Sequence, residues 1–159
     1  MNQPARSSQR SQARSAARLA AVQALYQQHM EGTALARLLD EFHQHRLGRT
    51  IDDEDFDEAE YADAEVPFFD DVVRGVDARR AEIDALIAAN LAEGWSLARL
   101  DKAMIQVLRA GTYELIARAD VPAAVAINEY VEVAKAFFDD RQSKFVNGIL
   151  DAVAKAARA

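Results

Sequence analysis

Arg6, Arg10, Arg14 and Arg18 stand four residues apart in an opening stretch, residues 1–30, that contains no acid. On a helix, each four-residue step turns the side chain by about 40°, so the four guanidinium groups lie in one stripe of roughly 120°. Guanidinium is planar, permanently charged and rich in donors, which suits it to phosphate oxygens and to stacking on bases. Tyr26 follows on the same segment, and a second basic group, Arg141 and Lys144 beside Phe145, comes late in the chain. Either aromatic ring could serve as a platform for an unstacked base. The competing reading is a solvated helix end with both rings in the core, and composition alone tips slightly toward it. Four arginines are too few for strong non-specific binding. A short RNA segment, held with a partner's help, is therefore the ligand this chemistry fits.

Other chemistry finds little support. The histidines are His29, His43 and His45, and positions 43 and 45 point to different sides of a helix. There is no cysteine, which removes thiolate nucleophiles, disulfides and zinc–thiolate sites and fits a reducing, cytoplasmic setting. No phosphate loop, nucleophile elbow or dinucleotide fingerprint is present. The expectation is a protein that is not an enzyme and carries no cofactor and no metal. From Thr50 to Asp71 eleven acids occur without a base, but they lack the spacing and central glycine of a calcium loop. Residues 48–66 are read as a solvated acidic loop.

The elements that must position these residues are helical. Half of the 159 residues are apolar, many of them alanine, with six glycines and three prolines. That balance favours an all-α domain. The first helix is expected to start near Ser8 or Ser11, with residues 1–10 disordered, and to run to Met30. Val22 and Leu25 fall on nearly the same side as Arg18, so the N-terminal turns are expected to overhang the core and hold the arginines out. Alanines 13, 17, 20 and 24 form a thin face for close packing. Thr33 is the expected N-cap of a second helix to about His45, with Leu35, Leu38, Leu39 and Phe42 inward. Pro67 opens a long third helix to about Leu91, with Phe69, Val72, Val76, Ile83 and Ile87 inward. Asp101 caps the next helix, in which Gly111 costs about 1 kcal/mol against alanine and so implies close helix contact. Pro122 suits the start of the following helix, whose apolar face is Ile127, Val131, Ala134 and Phe138. A polar hinge, Asp139–Gln142, leads to a last helix capped by Ser143, with Phe145, Ile149 and Val153 inward. The sum is one domain, a compact bundle of six or seven helices.

Net charge is −7, divided as +4 in residues 1–30 and −11 in the rest. An acidic protein with one basic end points to local, oriented anion binding. No apolar run is long enough to cross a bilayer. The opening segment lacks the apolar centre of a secretory signal. It resembles a transit peptide only in being rich in Arg and Ser.

Four stretches together closely resemble the NusB family of bacterial transcription antitermination factors: residues 13–27 (ARSAARLAAVQALYQ), 108–115 (LRAGTYEL), 121–137 (VPAAVAINEYVEVAKAF) and 143–151 (SKFVNGILD). The order and spacing of the four make the match specific, and it spans most of the chain outside the extreme N-terminus and the acidic segment. The resemblance implies two small helical bundles and a non-enzymatic role. It implies binding of boxA-like single-stranded RNA together with NusE, a ribosomal protein. Through these, it implies membership of RNA polymerase antitermination complexes acting on ribosomal RNA operons; a homodimer is also compatible. Carried over by position, the RNA contacts are Arg14, Arg18, Tyr26, Arg109, Lys144 and Phe145. Arg10 is added by the four-residue spacing, and Arg141 by its place at the hinge, where the family often has an acid. Met104 stands where an acid is often found, near the surface that meets the ribosomal protein. The nearest rival is the NusB-like domain of RNA cytosine methyltransferases, enzymes that need catalytic cysteines. A helical adaptor with no nucleic-acid role is the third reading.

Overall fold

The computed structural model describes residues 3–44 and 65–158, with side chains from residue 11 onward. Among the described residues there are seven α-helices: α1 (Gln3–Glu31), α2 (Leu35–Phe42), α3 (Val66–Ala78), α4 (Arg80–Ala89), α5 (Lys102–Ala117), α6 (Ala123–Phe137) and α7 (Asp140–Ala157). A 3-10 turn, Leu97–Arg99, precedes α5. The chain divides into two compact units, Met1–Arg74 and Gly75–Ala159, with the division falling inside α3. The expected all-α architecture in two sub-bundles is the one observed. The acidic segment lies almost wholly outside the described residues, as does His45.

In the first unit, α1 starts at Gln3, ahead of the Ser8 or Ser11 start expected from capping. Pro4 is tolerated in a first helical turn, and nothing between it and Gly32 breaks a helix. Gly32 ends α1 in the left-handed region (φ +68), which glycine enters without a Cβ penalty. Ala13, Ala17, Ala20 and Ala24 are all buried, so the thin alanine face is used for packing. α2 has no side-chain cap: Ala34, in extended conformation, precedes it in place of Thr33. The helical run continues as a π turn through His43 and Gln44, where the described residues stop. Its Leu38, Leu39 and Phe42 are buried, while Leu35 is half-buried. Phe42 stacks on Phe69 of α3 at 5.5 Å between ring centroids. His43 adds a 2.6 Å contact from Nε2 to Asp70 Oδ1, and Gln27 of α1 donates to Glu41 of α2 at 2.9 Å.

The long third helix expected between Pro67 and Leu91 is two helices. Arg79 leaves helical dihedrals (φ −113, ψ 22) between α3 and α4. The apolar stripe passes straight through this break, with Phe69, Val72, Val76, Ile83 and Ile87 all fully buried, so periodicity alone cannot reveal it. Arg79 pairs with Glu82 through two 2.9 Å bonds. That hydrogen bonding holds the exposed Glu82 carboxyl below its ordinary range.

The second unit is built around α5, which packs against α4, α6 and α7. Every residue from Met104 to Leu115 is buried, as a helix surrounded on all sides requires. Asp101 caps it as expected, accepting from the backbone N–H groups of Ala103 (2.8 Å) and Met104 (3.3 Å). Gly111 marks the close approach: a Cβ there would come within 2.8 Å of Leu150 on α7. The inward face of α6 is Ala126, Tyr130, Val133 and Ala134, with Ile127, Val131 and Phe138 only half-buried. The apolar stripe was therefore expected about one position out of register. Tyr130, fully buried, donates its phenolic hydrogen to the equally buried Glu114 carboxylate. Arg158 closes the unit. It donates to the carbonyl oxygens of Leu115 and Val121 (both 2.8 Å), Arg118 (2.9 Å) and Glu114 (3.2 Å). These carbonyls lie at the C-terminal end of α5 and in the turn that follows, and those of Glu114 and Arg118 also accept backbone N–H groups, from Arg118 and Val121.

Candidate nucleic-acid interface

The basic residues fall into two groups, one in each unit. In the first unit, α1 brings Arg14 and Arg18 onto the same side one turn apart, and α3 supplies Phe68 beneath them. Each guanidinium carbon lies 4.8 Å from the Phe68 ring centroid, a cation–π distance. Arg14 Nε also faces Glu65 Oε2 at 3.4 Å, where Glu65 begins the first turn of α3. The Arg14 side chain remains 38% exposed, so one side of this cation is open.

Arg18 corrects the expectation that the arginines are held out into solvent. It is 2% exposed. Burial of a guanidinium is costly unless it is compensated, and here the Phe68 face meets it on the side it shares with Val22 and Leu25. Tyr26 is 41% exposed, about 18 Å along the helix axis from Arg14, with the exposed Met30 one turn beyond. Arg10 lies on α1, but its side chain is outside the described residues.

In the second unit the basic group sits on the first two turns of α7. The N-cap is Asp139, not Ser143. Asp139 accepts from the Gln142 backbone N–H (3.0 Å), while the Gln142 side chain accepts from the Asp139 N–H (3.4 Å). This capping box turns the supposed hinge into the start of the helix. Ser143 is buried and donates back to the Asp139 carbonyl. Arg141 and Lys144 are exposed, and Phe145 is half-buried, not inward like Ile149 and Val153. Positions 141, 144, 145 and 148 share one helical stripe. Asp139 and Asp140 sit beside it, so the local charge is close to balanced.

Arg109 is turned inward. Its Nε and Nη2 each donate at 2.9 Å to the two oxygens of Asp84, and Nη1 reaches Gln106 at 3.4 Å. The structure thus gathers Arg14 and Arg18 at one ring, and Arg141, Lys144 and Phe145 on one stripe. Arg109 is engaged within the second unit. Met104, expected near a partner surface, is buried in α5.

Phe68, Glu65 and Arg158 were not singled out from the sequence. Phe68 could have been found from its neighbour: if Phe69 faces the core, Phe68 points about 100° away, toward a helix edge where a cation can reach it. Among the described residues, no group of three or more His, Cys, Asp or Glu side chains could hold a metal ion. No described helix is long and apolar enough to cross a membrane.

A model of the NusB family matches residues 15–155. The transcription antitermination protein NusB of Sphingopyxis alaskensis is 63% identical over 149 residues, covering 94% of this chain and 97% of the relative. Among solved structures, a Thermotoga maritima NusB ("T. maritima NusB") superposes with a TM-score of 0.70 at 35% identity, covering 89% of this chain and 90% of that one. A NusB solved with NusE and double-stranded RNA superposes with a TM-score of 0.68 at 29% identity, covering 91% of this chain and 98% of that one.

Proposed function

The chain belongs to the NusB family, and from that premise we propose that it is an RNA-binding transcription antitermination factor. It takes boxA-like single-stranded RNA together with NusE and works in the cytoplasm within RNA polymerase complexes on ribosomal RNA operons. The observation that carries the RNA reading is Arg14, a half-open guanidinium laid on an aromatic face where phosphate can reach it. Arg10 extends that contact along α1, and Tyr26 offers a base platform further on. Arg141, Lys144 and Phe145 supply a second contact from α7. Arg18 and Arg109 serve the fold instead: Arg18 lies against the Phe68 ring, and Arg109 holds α5 to α4 through Asp84. NusE as partner is supported by the 29% identical relative that was crystallised with NusE and RNA. A few cations give too little affinity alone, so the partner is needed to hold the RNA.

Fluorescence anisotropy of a labelled boxA-like RNA, titrated at several salt concentrations with and without NusE, tests this. Arg14→Ala combined with Lys144→Ala should weaken binding and flatten the salt slope by roughly 1.4 units, since each phosphate contact on a single strand contributes about 0.7. NusE should tighten binding by the wild-type chain. Affinity and slope unchanged in the double variant would remove these residues from the interface. Equal affinity with and without NusE would remove the cooperation.

A further inference from the structure

Arg14 is the most accessible described cation of the first unit's site, and a carboxylate already stands against it. Glu65 is only 8% exposed, its Oε2 lies 3.4 Å from Arg14 Nε, and the Phe68 ring stacked by Arg14 is three residues further along α3. The Glu65 backbone carbonyl accepts the Phe69 N–H at 3.0 Å, so the residue is locked at the N-terminal end of α3. A carboxylate is favoured at that end of a helix, which further restrains it from swinging away. In sequence, Glu65 is the last of nine acids between positions 52 and 65.

We infer that Glu65 is a built-in competitor for the phosphate-binding face of Arg14, setting the affinity of the RNA site from inside the protein. This rests on the RNA reading above and adds a residue that works against it. The physical reason is charge. A phosphate approaching Arg14 must either share the guanidinium with a carboxylate a few ångströms away or displace it. The fixed geometry and low exposure of Glu65 keep water and salt from screening that repulsion fully. The same contact holds Arg14 over Phe68, so the cation stays ordered when RNA is absent. The device lowers affinity for any single phosphate and makes stable binding depend on the other contacts and on the partner.

The test is a double-mutant cycle on the full chain, with boxA-like single-stranded RNA as the probe at one fixed salt concentration. Glu65→Gln keeps the shape and removes the charge, and should tighten binding by about three- to five-fold, the range of a partly exposed ion pair. Arg14→Ala should weaken binding. In the Arg14→Ala background the gain from Glu65→Gln should vanish, because the competition passes through that one guanidinium. A gain that persists there would mean Glu65 repels RNA through the general field, and would overturn the proposal. An unchanged or weaker Kd for Glu65→Gln would overturn it too, making Glu65 a support for Arg14. Glu65→Asp, which withdraws the carboxylate by one methylene but keeps its charge, should give an intermediate gain, and thermal melts confirm that each variant is folded. If the wild-type chain and every variant fail to bind RNA, the RNA reading itself falls and takes this inference with it. If the wild type binds and Glu65→Gln gains nothing, only the inference falls.

Discussion

Arg14 in the first unit lies on the face of a phenylalanine with a single looser carboxylate contact, 3.4 Å to Glu65, whereas Arg109 and Arg158 in the second are held by several hydrogen bonds to oxygen. The difference decides what each cation can still do. Arg14 is held over Phe68 by a contact worth about 0.5–1 kcal/mol and by the Glu65 carboxylate, and remains 38% exposed. Arg109 has spent its fork on both oxygens of Asp84, and Arg158 has spread its donors over four backbone carbonyls. Hydrogen bonds from a charged donor contribute about 1.5–3 kcal/mol each where they are shielded from water. One unit therefore leaves an arginine part-open, and the other uses arginines as internal fasteners.

The largest effect that tests this contrast is Arg158→Ala. It leaves the carbonyls of Glu114, Leu115, Arg118 and Val121 without the guanidinium and should cost about 3 kcal/mol, or roughly 6–12 °C in Tm for a chain of this size. Urea and thermal denaturation measure it. Arg158→Lys should recover only part, because one ammonium cannot reach four acceptors in a plane. A loss below about 1 kcal/mol would show that the clamp is ornamental and would break the comparison.

Arg109→Ala comes next, at about 2 kcal/mol, because Asp84 loses both of its bonds from the guanidinium. Measured at a temperature where the variant stays folded, its affinity for RNA should match the wild type. Lost RNA affinity with an intact fold would return Arg109 to the binding surface and blur the line between fastener and contact.

The sequence made some of this visible and hid the rest for identifiable reasons. Helix content, the alanine face of α1, the Asp101 cap and the close approach at Gly111 each follow from a local rule and were legible. The fate of Arg18 was not. Its spacing matches that of Arg14, and both guanidinium carbons lie 4.8 Å from the centroid of the same Phe68 ring. Yet Arg18 is buried and Arg14 is part-open, a difference set by tertiary packing that helical spacing does not record. Ser143 has a good capping side chain, but Asp139 and Gln142 satisfy the same end of α7 reciprocally, and the better cap wins. The fastening role of Arg158 depends on carbonyls some forty positions earlier in the chain, beyond any pattern a window can detect.

The smallest effect comes from two glycines in neighbouring helices of the second unit. At Gly111 a Cβ would meet Leu150 atoms at 2.8 and 3.0 Å, and Leu150 is fully buried with nowhere to retreat. Overpacking of about 1–3 kcal/mol then outweighs the roughly 1 kcal/mol that alanine gains in helix propensity. At Gly148 a Cβ would meet nothing within 4 Å, so the propensity gain stands alone. Gly111→Ala should therefore lower Tm, and Gly148→Ala should raise it by a few degrees, which thermal melts of the two variants will resolve. Gly148 shares its stripe with Arg141, Lys144 and Phe145, so the stabilised Gly148→Ala protein also sharpens the contrast between fasteners and contacts. Among the described residues nothing packs against the bare backbone at 148. A variant that melts higher yet binds RNA less well would place the function of that glycine outside the fold, on the face left open to a ligand. A Tm unchanged or lowered in Gly148→Ala would mean that the stripe is packed against something in the free protein, and the α7 contact would lose its standing as an open surface.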